Sequence, residues 1–228
     1  MNNYVAIIPA RGGSKRIPKK NIYLINGKPM IAYAIQNAIS SGVFTEVIVS
    51  TDSPEIAEVS LDFGAKVPIL RSANLSDDFA TTYDVMADVI RREWLDELTP
   101  SHLCCIYPTT PMLKPKHLKE SLEIMEKFNC DYVFPAAKFE KSIYRSFRED
   151  LNGAIEMNFP EYLLTRTQDL PSAYHDVGQF YWGKTEAWLT KKPIFSSGSR
   201  IYVVKGEEFI DIDTMQDLVA VQELMKTS

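Results

Sequence analysis

Acidic residues are missing from the first forty-five positions, yet six cations occur there: Arg11, Lys15, Arg16, Lys19, Lys20 and Lys28. Over its full 228 residues the chain is nonetheless acidic, with a net charge of −5. That balance excludes a general affinity for nucleic acid or anionic membranes, so any anion site must be local. Cysteine is scarce. Cys104 and Cys105 are adjacent in the apolar run LCCIY, Cys130 stands alone, and no metal-ligand spacing is present. A disulfide framework is thereby excluded, and the adjacent pair reads as small core residues in a reduced compartment. No stretch of 18 apolar residues occurs, so no membrane-spanning segment is expected. The apolar run before Arg11 is too short for a secretory leader, and a cytoplasmic protein is expected.

What is present alternates. YVAIIP (4–9), EVIVST (46–51), AKVPIL (65–70), LCCIY (103–107) and DYVFPA (131–136) read as short buried strands. Between them, helices are expected over 29–42, from Pro54 to Phe63, along a face marked by Tyr83, Met86, Ala87, Ile90 and Trp94, and from Pro115 to Phe128. Asp52 or Ser53 can cap the second of these, and Thr81 the third. This rhythm predicts an α/β fold of Rossmann-like type, with a mostly parallel sheet between helices in one domain over 1–228. The rhythm breaks over 139–175, read as an inserted arm. It resumes in QFYWG (179–183), RIYVV (200–204) and FIDID (209–213), and a helix from Thr214 to Met225 follows.

Ligands of such sheets bind beyond the C-terminal ends of the strands. PARGGSKRIPKKN (9–21) begins where the first strand ends, and five of the six early cations lie in it. Gly12 and Gly13 let backbone approach a ligand closely. Arg offers a planar fork and Lys a point charge, a mixture that suits a polyphosphate. The run is neither a Walker A loop nor a dinucleotide fingerprint. A second constellation, Asp211 and Asp213, stands two apart at a predicted strand end. Both carboxylates can therefore face one Mg²⁺ completed by substrate phosphates. Alternatively, one of them caps the helix after Thr214 and the other is solvated.

Taken together, IPARGGSKRIPKKN, the Ser50-Thr51-Asp52 triplet, the PTTP of 108–111 and IDIDT resemble the CMP-sialic acid synthetase family of cytidylyltransferases in order and spacing along nearly the whole chain. The resemblance implies a nucleotide-diphospho-sugar transferase fold with a dimerisation arm, CTP and a nine-carbon sugar acid as substrates, Mg²⁺ as cofactor, and a homodimer. Tyr107 stands where sialic-acid enzymes usually carry Gln, and YHDVGQFYWG (174–183) replaces a usual Asn-Gly-Ala segment. These two patches look like the branch that acts on pseudaminic acid.

By the same resemblance, Arg11 and Lys20 hold and polarise phosphates. Ala10, Arg11, Gly12, Gly13, Ser14, Lys15, Lys20, Asn21, Arg71 and Thr82 form the nucleotide site, with Arg16 lending field. Lys19 is open to a structural or a catalytic role. Asp211 and Asp213 hold the metal, and the hydroxyl proton passes to Asp211 or to a metal-bound water. Tyr107, Thr109, Arg166, His175, Asp176, Gln179 and Tyr181 are the sugar-site candidates, Arg166 facing the carboxylate. His102 and His117 are structural, and Trp182 and Trp188 pack. Two other classes compete. A glycosyltransferase also uses an Asp-x-Asp pair, but this cationic loop asks for a pyrophosphate leaving group. A non-catalytic nucleotide-binding regulator sits poorly with the set of Arg11, Lys20, Asp211 and Asp213.

Overall fold

The computed structural model describes residues 3–77, 79–92, 98–205, 210 and 212–227. Its centre is β1 (Tyr4–Pro9), flanked in parallel by β4 (Glu46–Ser50) and β5 (His102–Ile106). Val5 to Ile8 are fully buried, the continuous apolar pattern of a strand covered on both faces. Two minor strands, β2 (Leu24–Ile25) and β3 (Lys28–Pro29), pair only with each other. The sheet continues through β10 (Phe180–Lys184), antiparallel to β5, then β6 (Tyr132–Lys138) and β11 (Ser199–Val204), which run parallel to each other. The order is β11-β6-β10-β5-β1-β4, and β9 (Tyr174–Asp176) lies along the far half of β6. The sheet is thus mixed, with the parallel strands expected from the sequence and one antiparallel strand at its heart.

Side chains alternate between two cores. Ala6, Ile8, Val47, Val49 and Cys104 face α1 (Met30–Ser41), α2 (Pro54–Asp62) and α4 (Pro115–Phe128). Val5, Ile7, Ile48, Leu103 and Cys105 face α3 (Thr82–Ile90) and α5 (Thr185–Leu189). The adjacent cysteines therefore sit in opposite cores, and burial pushes both thiols well above their ordinary values. Tyr181 and Trp182 divide in the same way. A third cluster joins Ile17 of the cationic loop, Ile25 and Met30 to Ile212, Leu218 and Val221, the last two on α6 (Met215–Thr227).

Several expectations need correction. AKVPIL forms no strand: Lys66 makes a single bridge to Ile48, and Pro68, lacking an N–H, ends the pairing. The helix at Tyr83 is α3, which stops at Ile90; Trp94 lies outside the described residues. Of FIDID, Ile210, Ile212 and Asp213 are not in a strand, and Phe209 and Asp211 lie outside the described residues. Neither carboxylate is needed as a cap for α6, because Thr214 and Asp217 bond reciprocally there: Asp217 N donates to Thr214 Oγ1 (3.2 Å) and Thr214 N to Asp217 Oδ2 (2.7 Å).

The arm leaves the sheet after Lys138 and returns at Tyr174. It carries a small antiparallel hairpin, β7 (Phe147–Glu149) with β8 (Ile155–Met157), turned at Gly153 with φ of +83°. Its apolar side chains Leu151, Ile155 and Leu164 are exposed.

Packing is tightest where β10 meets α5. A Cβ on Gly183 would lie 2.6 Å from Tyr132 Cε1 and would also strike the Trp188 indole, both rings being fully buried. Gly183→Ala is therefore expected to destabilise the fold by about 1–3 kcal/mol, read as a lower denaturant midpoint. An unchanged midpoint would contradict this packing.

Candidate active site

The cationic loop is held by backbone before any ligand arrives. Ala10 N donates to Ser50 O (2.9 Å), and Asn21 Nδ2, itself nearly buried, donates to Arg11 O (2.8 Å). Ile17 anchors the middle of the loop in the third core. Lys19 adopts a left-handed conformation (φ +52°) and turns outward to an ion pair with Glu55 (2.8 Å), which favours the structural reading of that lysine. Arg11, Lys15, Arg16 and Lys20 line a cavity of about 420 Å³, with Ser14, Asn21 and Thr109 beside them.

Asp213 enters this cation cluster from the far end of the chain. Its Oδ1 lies 2.7 Å from Arg16 Nη2 and 3.6 Å from Lys20 Nζ. The two constellations separated by two hundred residues in the sequence are thus brought together. Asp211, the other expected metal ligand, lies outside the described residues. Among the described residues no group of three or more His, Cys, Asp or Glu side chains gathers for a metal.

The glycines divide. Gly12 N donates to Asp52 Oδ1 (2.9 Å), and a Cβ there would sit 3.1 Å from Ser53 Cβ, so the residue that caps α2 leaves little room for a side chain here. Gly13 faces open space, the situation expected of a backbone that meets a ligand.

A second cavity, of about 240 Å³, lies across Pro9 and Arg11, which line both. Arg71, Asp77, Thr82 and Tyr107 bound it. Arg71 is 7% exposed; its N donates to Thr51 O (2.7 Å) and its Nε to Ser76 Oγ (3.2 Å). Burial is the main cause that lowers its pKa, and the charges of Asp52 and Asp88 act against that fall. Thr82 Oγ1 lies 3.1 Å from the Tyr107 hydroxyl. Arg11 Nη1 donates to Asp77 O (3.2 Å), so one guanidinium links the two cavities.

Toward β9 the candidates form a chain of contacts. Tyr107 N donates to the backbone carbonyl of Gln179 (2.9 Å), and the ring of Tyr107 meets that of Tyr181 edge-on, centroids 5.5 Å apart. The Tyr181 hydroxyl donates to Asp176 Oδ2; burial, then this carboxylate, pushes its pKa well above the ordinary range. Gly178 N donates to Asp176 Oδ1 (3.2 Å). His175 projects to the other face of β9, its ring 4.9 Å from that of Phe139, into a separate cavity of about 920 Å³ bounded by Lys138, Lys205 and Ile210. Arg166 is exposed on the arm, Nε 2.9 Å from Asp169 Oδ2. The structure therefore gathers Arg11, Ser14, Lys15, Lys20, Asn21, Arg71, Thr82, Tyr107, Thr109 and Asp213. It places His175 and Arg166 elsewhere on the chain. Asp52, which the sequence offers only as a possible helix cap and as the last residue of the Ser50-Thr51-Asp52 triplet, also belongs here, because its Oδ1 accepts from Gly12 N. The signal for it was its position: the residue just after β4 stands beside the residues just after β1.

Residues 5–216 match the cytidylyltransferase family, and the chain belongs to it. The chain is 42% identical over 224 residues (98% of this chain, 97% of the relative) to the pseudaminic acid cytidylyltransferase of Campylobacter jejuni subsp. jejuni (strain 81-176). It is 34% identical over 221 residues to the N-acylneuraminate cytidylyltransferase of Streptococcus agalactiae serotype V, covering 95% of this chain and 52% of that one. A solved CMP:2-keto-3-deoxy-manno-octonic acid synthetase complexed with CTP shares the fold, with a TM-score of 0.75 over 99% of both chains at 19% identity.

Thr82 is presented by the first turn of α3, which Thr81 and Asp84 close with a capping box. Lys191 and then Thr81 hold the Asp84 carboxyl down to about 2, below its ordinary 3.8. A depressed carboxyl stabilises the folded state above its unfolded value and loses that contribution as pH falls through the folded one. The loss of Tm on Asp84→Asn is thus expected at near-neutral pH and should shrink between about pH 4 and pH 2. A gap that stays constant on acidification would contradict the assignment.

Proposed function

We propose that this cytidylyltransferase transfers CMP from CTP to the anomeric hydroxyl of a nine-carbon sugar acid, with pseudaminic acid as the preferred acceptor, and releases pyrophosphate. The observation that carries the reading is the meeting of Arg11, Lys15, Arg16 and Lys20 with Asp213 at the end of β1, beside a second cavity holding Arg71 and Thr82. Catalysis of displacement at phosphorus is mainly positioning and charge neutralisation, which that arrangement supplies. Arg11 spans both cavities and so orients the α-phosphate relative to the nucleoside. Lys20 neutralises charge on the departing pyrophosphate, while Lys15 and Arg16 draw the triphosphate in. Thr82 and Arg71 hold the nucleoside end.

The donor chemistry fits Mg²⁺. Asp213 is a hard oxygen ligand at the cation cavity, and Asp211 supplies the second carboxylate on sequence grounds. Bound there with the substrate phosphates, the ion supplies electrostatic stabilisation of the charge that develops at the α-phosphate.

The acceptor lies toward Tyr107, Thr109, Gln179 and the Asp176–Tyr181 pair. Arg166 stands apart from these residues within one chain, so its assignment to the acceptor carboxylate requires the arm to reach the acceptor of a partner subunit; its pairing with Asp169 is exposed and exchangeable. The exposed apolar arm is the surface through which we propose a homodimer forms. Among the described residues no helix is long and apolar enough to cross a membrane.

The test is pyrophosphate release from CTP and Mg²⁺ with pseudaminic, legionaminic and N-acetylneuraminic acids side by side. Release that is fastest with pseudaminic acid is expected. Release with none of the three would reject the acceptor class, and equal rates would reject the preference. Asp213→Asn is expected to lower turnover by about a hundredfold or more while the chain stays folded, with a modest fall in Tm from the lost pairing with Arg16 and Lys20. Turnover at the unmodified rate would remove Asp213 from the site. Arg166→Ala should raise the acceptor KM and leave CTP binding unchanged; the reverse pattern would overturn its assignment.

A further inference from the structure

Three successive residues after the middle of β4 each hold a different part of the site. Ser50 O accepts from Ala10 N (2.9 Å), Thr51 O accepts from Arg71 N (2.7 Å), and Asp52 Oδ1 accepts from Gly12 N (2.9 Å). The first two are backbone contacts that any side chain would permit. The third depends on the identity of residue 52. It also falls at a close approach, where a Cβ built on Gly12 would lie 3.1 Å from Ser53 Cβ.

The charge of Asp52 matters as well as its hydrogen bond. Gly12 follows Arg11 directly, and Asp52 acts electrostatically on Arg71 in the neighbouring cavity, where Arg11 acts with opposite sign. An anionic side chain thus stands by the two arginines that bound the second cavity, and offsets their mutual repulsion before an anionic ligand arrives.

We infer that Asp52 is a positioning residue of the cytidylyltransferase reaction: by fixing the Gly12 amide it sets where the Arg11–Lys20 loop meets the triphosphate. Because that amide is engaged by Asp52, and Ser14 N donates to Gly12 O (3.0 Å), the amide of this turn left to approach phosphate is that of Gly13, where a Cβ would meet open space. Asp52 acts on substrate only through the loop. The inference rests on the reading of the cationic cavity as a triphosphate site.

The experiment compares the unmodified chain with Asp52→Ala and Asp52→Asn. CTP binding is measured by calorimetry, and amide exchange at Gly12 and Cys105 by NMR. The asparagine amide oxygen can still accept from Gly12, whereas alanine cannot. Asp52→Ala is expected to weaken CTP about tenfold or more and to speed exchange at Gly12 while Cys105, in the central sheet, stays protected. Asp52→Asn is expected to restore slow exchange at Gly12 and to recover the affinity only in part, because it keeps the acceptor and loses the charge. Equal CTP affinity in Asp52→Ala and the unmodified chain would overturn the proposal. So would a loss in Asp52→Ala accompanied by equal loss of protection at Cys105, which marks general destabilisation. Failure of the unmodified chain to bind CTP would instead overturn the reading of the cavity itself, and the proposal with it.

Discussion

Repulsion among like charges is the constraint on which the rest of this site depends. Arg11, Lys15, Arg16 and Lys20 share one cavity, and the described carboxylate that pairs with cations inside it is Asp213. Like charges gathered in one cavity repel, and solvent screens that repulsion only where the side chains reach water. A loop under that load keeps its shape only if other interactions fix it. Here they are the buried Ile17, the Asn21 bond to Arg11 O, and Ser50 at the end of β4 with Asp52 just beyond it, which grip Ala10 and Gly12. An incoming polyphosphate then relieves repulsion instead of having to assemble the loop, and such preorganisation is where electrostatic catalysis draws its strength.

The sheet supplies the rigid frame. Because β1, β4 and β5 run parallel, their C-terminal ends lie side by side. Residues distant in sequence, such as Arg11, Asp52 and Tyr107, are therefore near one another without any long connection crossing the site. The antiparallel β10 then carries Tyr181 next to Tyr107 and extends the same rim toward β9. Asp213 arrives differently. It follows Ile212, which is buried in the same cluster as Ile17, Ile25, Met30, Leu218 and Val221, so shared apolar packing holds the carboxylate segment beside the cationic loop.

Much of this was legible in the sequence. The strands β1, β4, β5 and β6 and the helices α1, α2 and α4 follow from short apolar runs and from caps such as Ser53-Pro54 and Gly42. The cationic loop and Asp213 were legible because charge type and spacing are local properties. What was not legible depends on tertiary neighbours. AKVPIL has strand composition, yet Pro68 denies it a second rung. Lys19 belongs to the same charge run as Lys20, but its left-handed backbone sends it to Glu55. His175 and Asp176 are adjacent, and pairing of β9 with β6 is what sends their side chains to opposite faces. Asp52 belongs to the Ser50-Thr51-Asp52 triplet, yet its bond to Gly12 becomes visible only when β4 lies beside β1.

The arm has a further consequence for the history of such a molecule. Its three short 3₁₀ turns bury no residue, and its hairpin closes on itself through Phe147–Met157 and Glu149–Ile155 pairs. Both ends of the arm are tied to the sheet at one place, where Lys138 of β6 faces Tyr174 of β9. A segment joined in this way can be lengthened, trimmed or exchanged without asking the strands that carry the cationic loop to move. The arm can then diverge in descendants while the strands that carry the cationic loop are inherited intact.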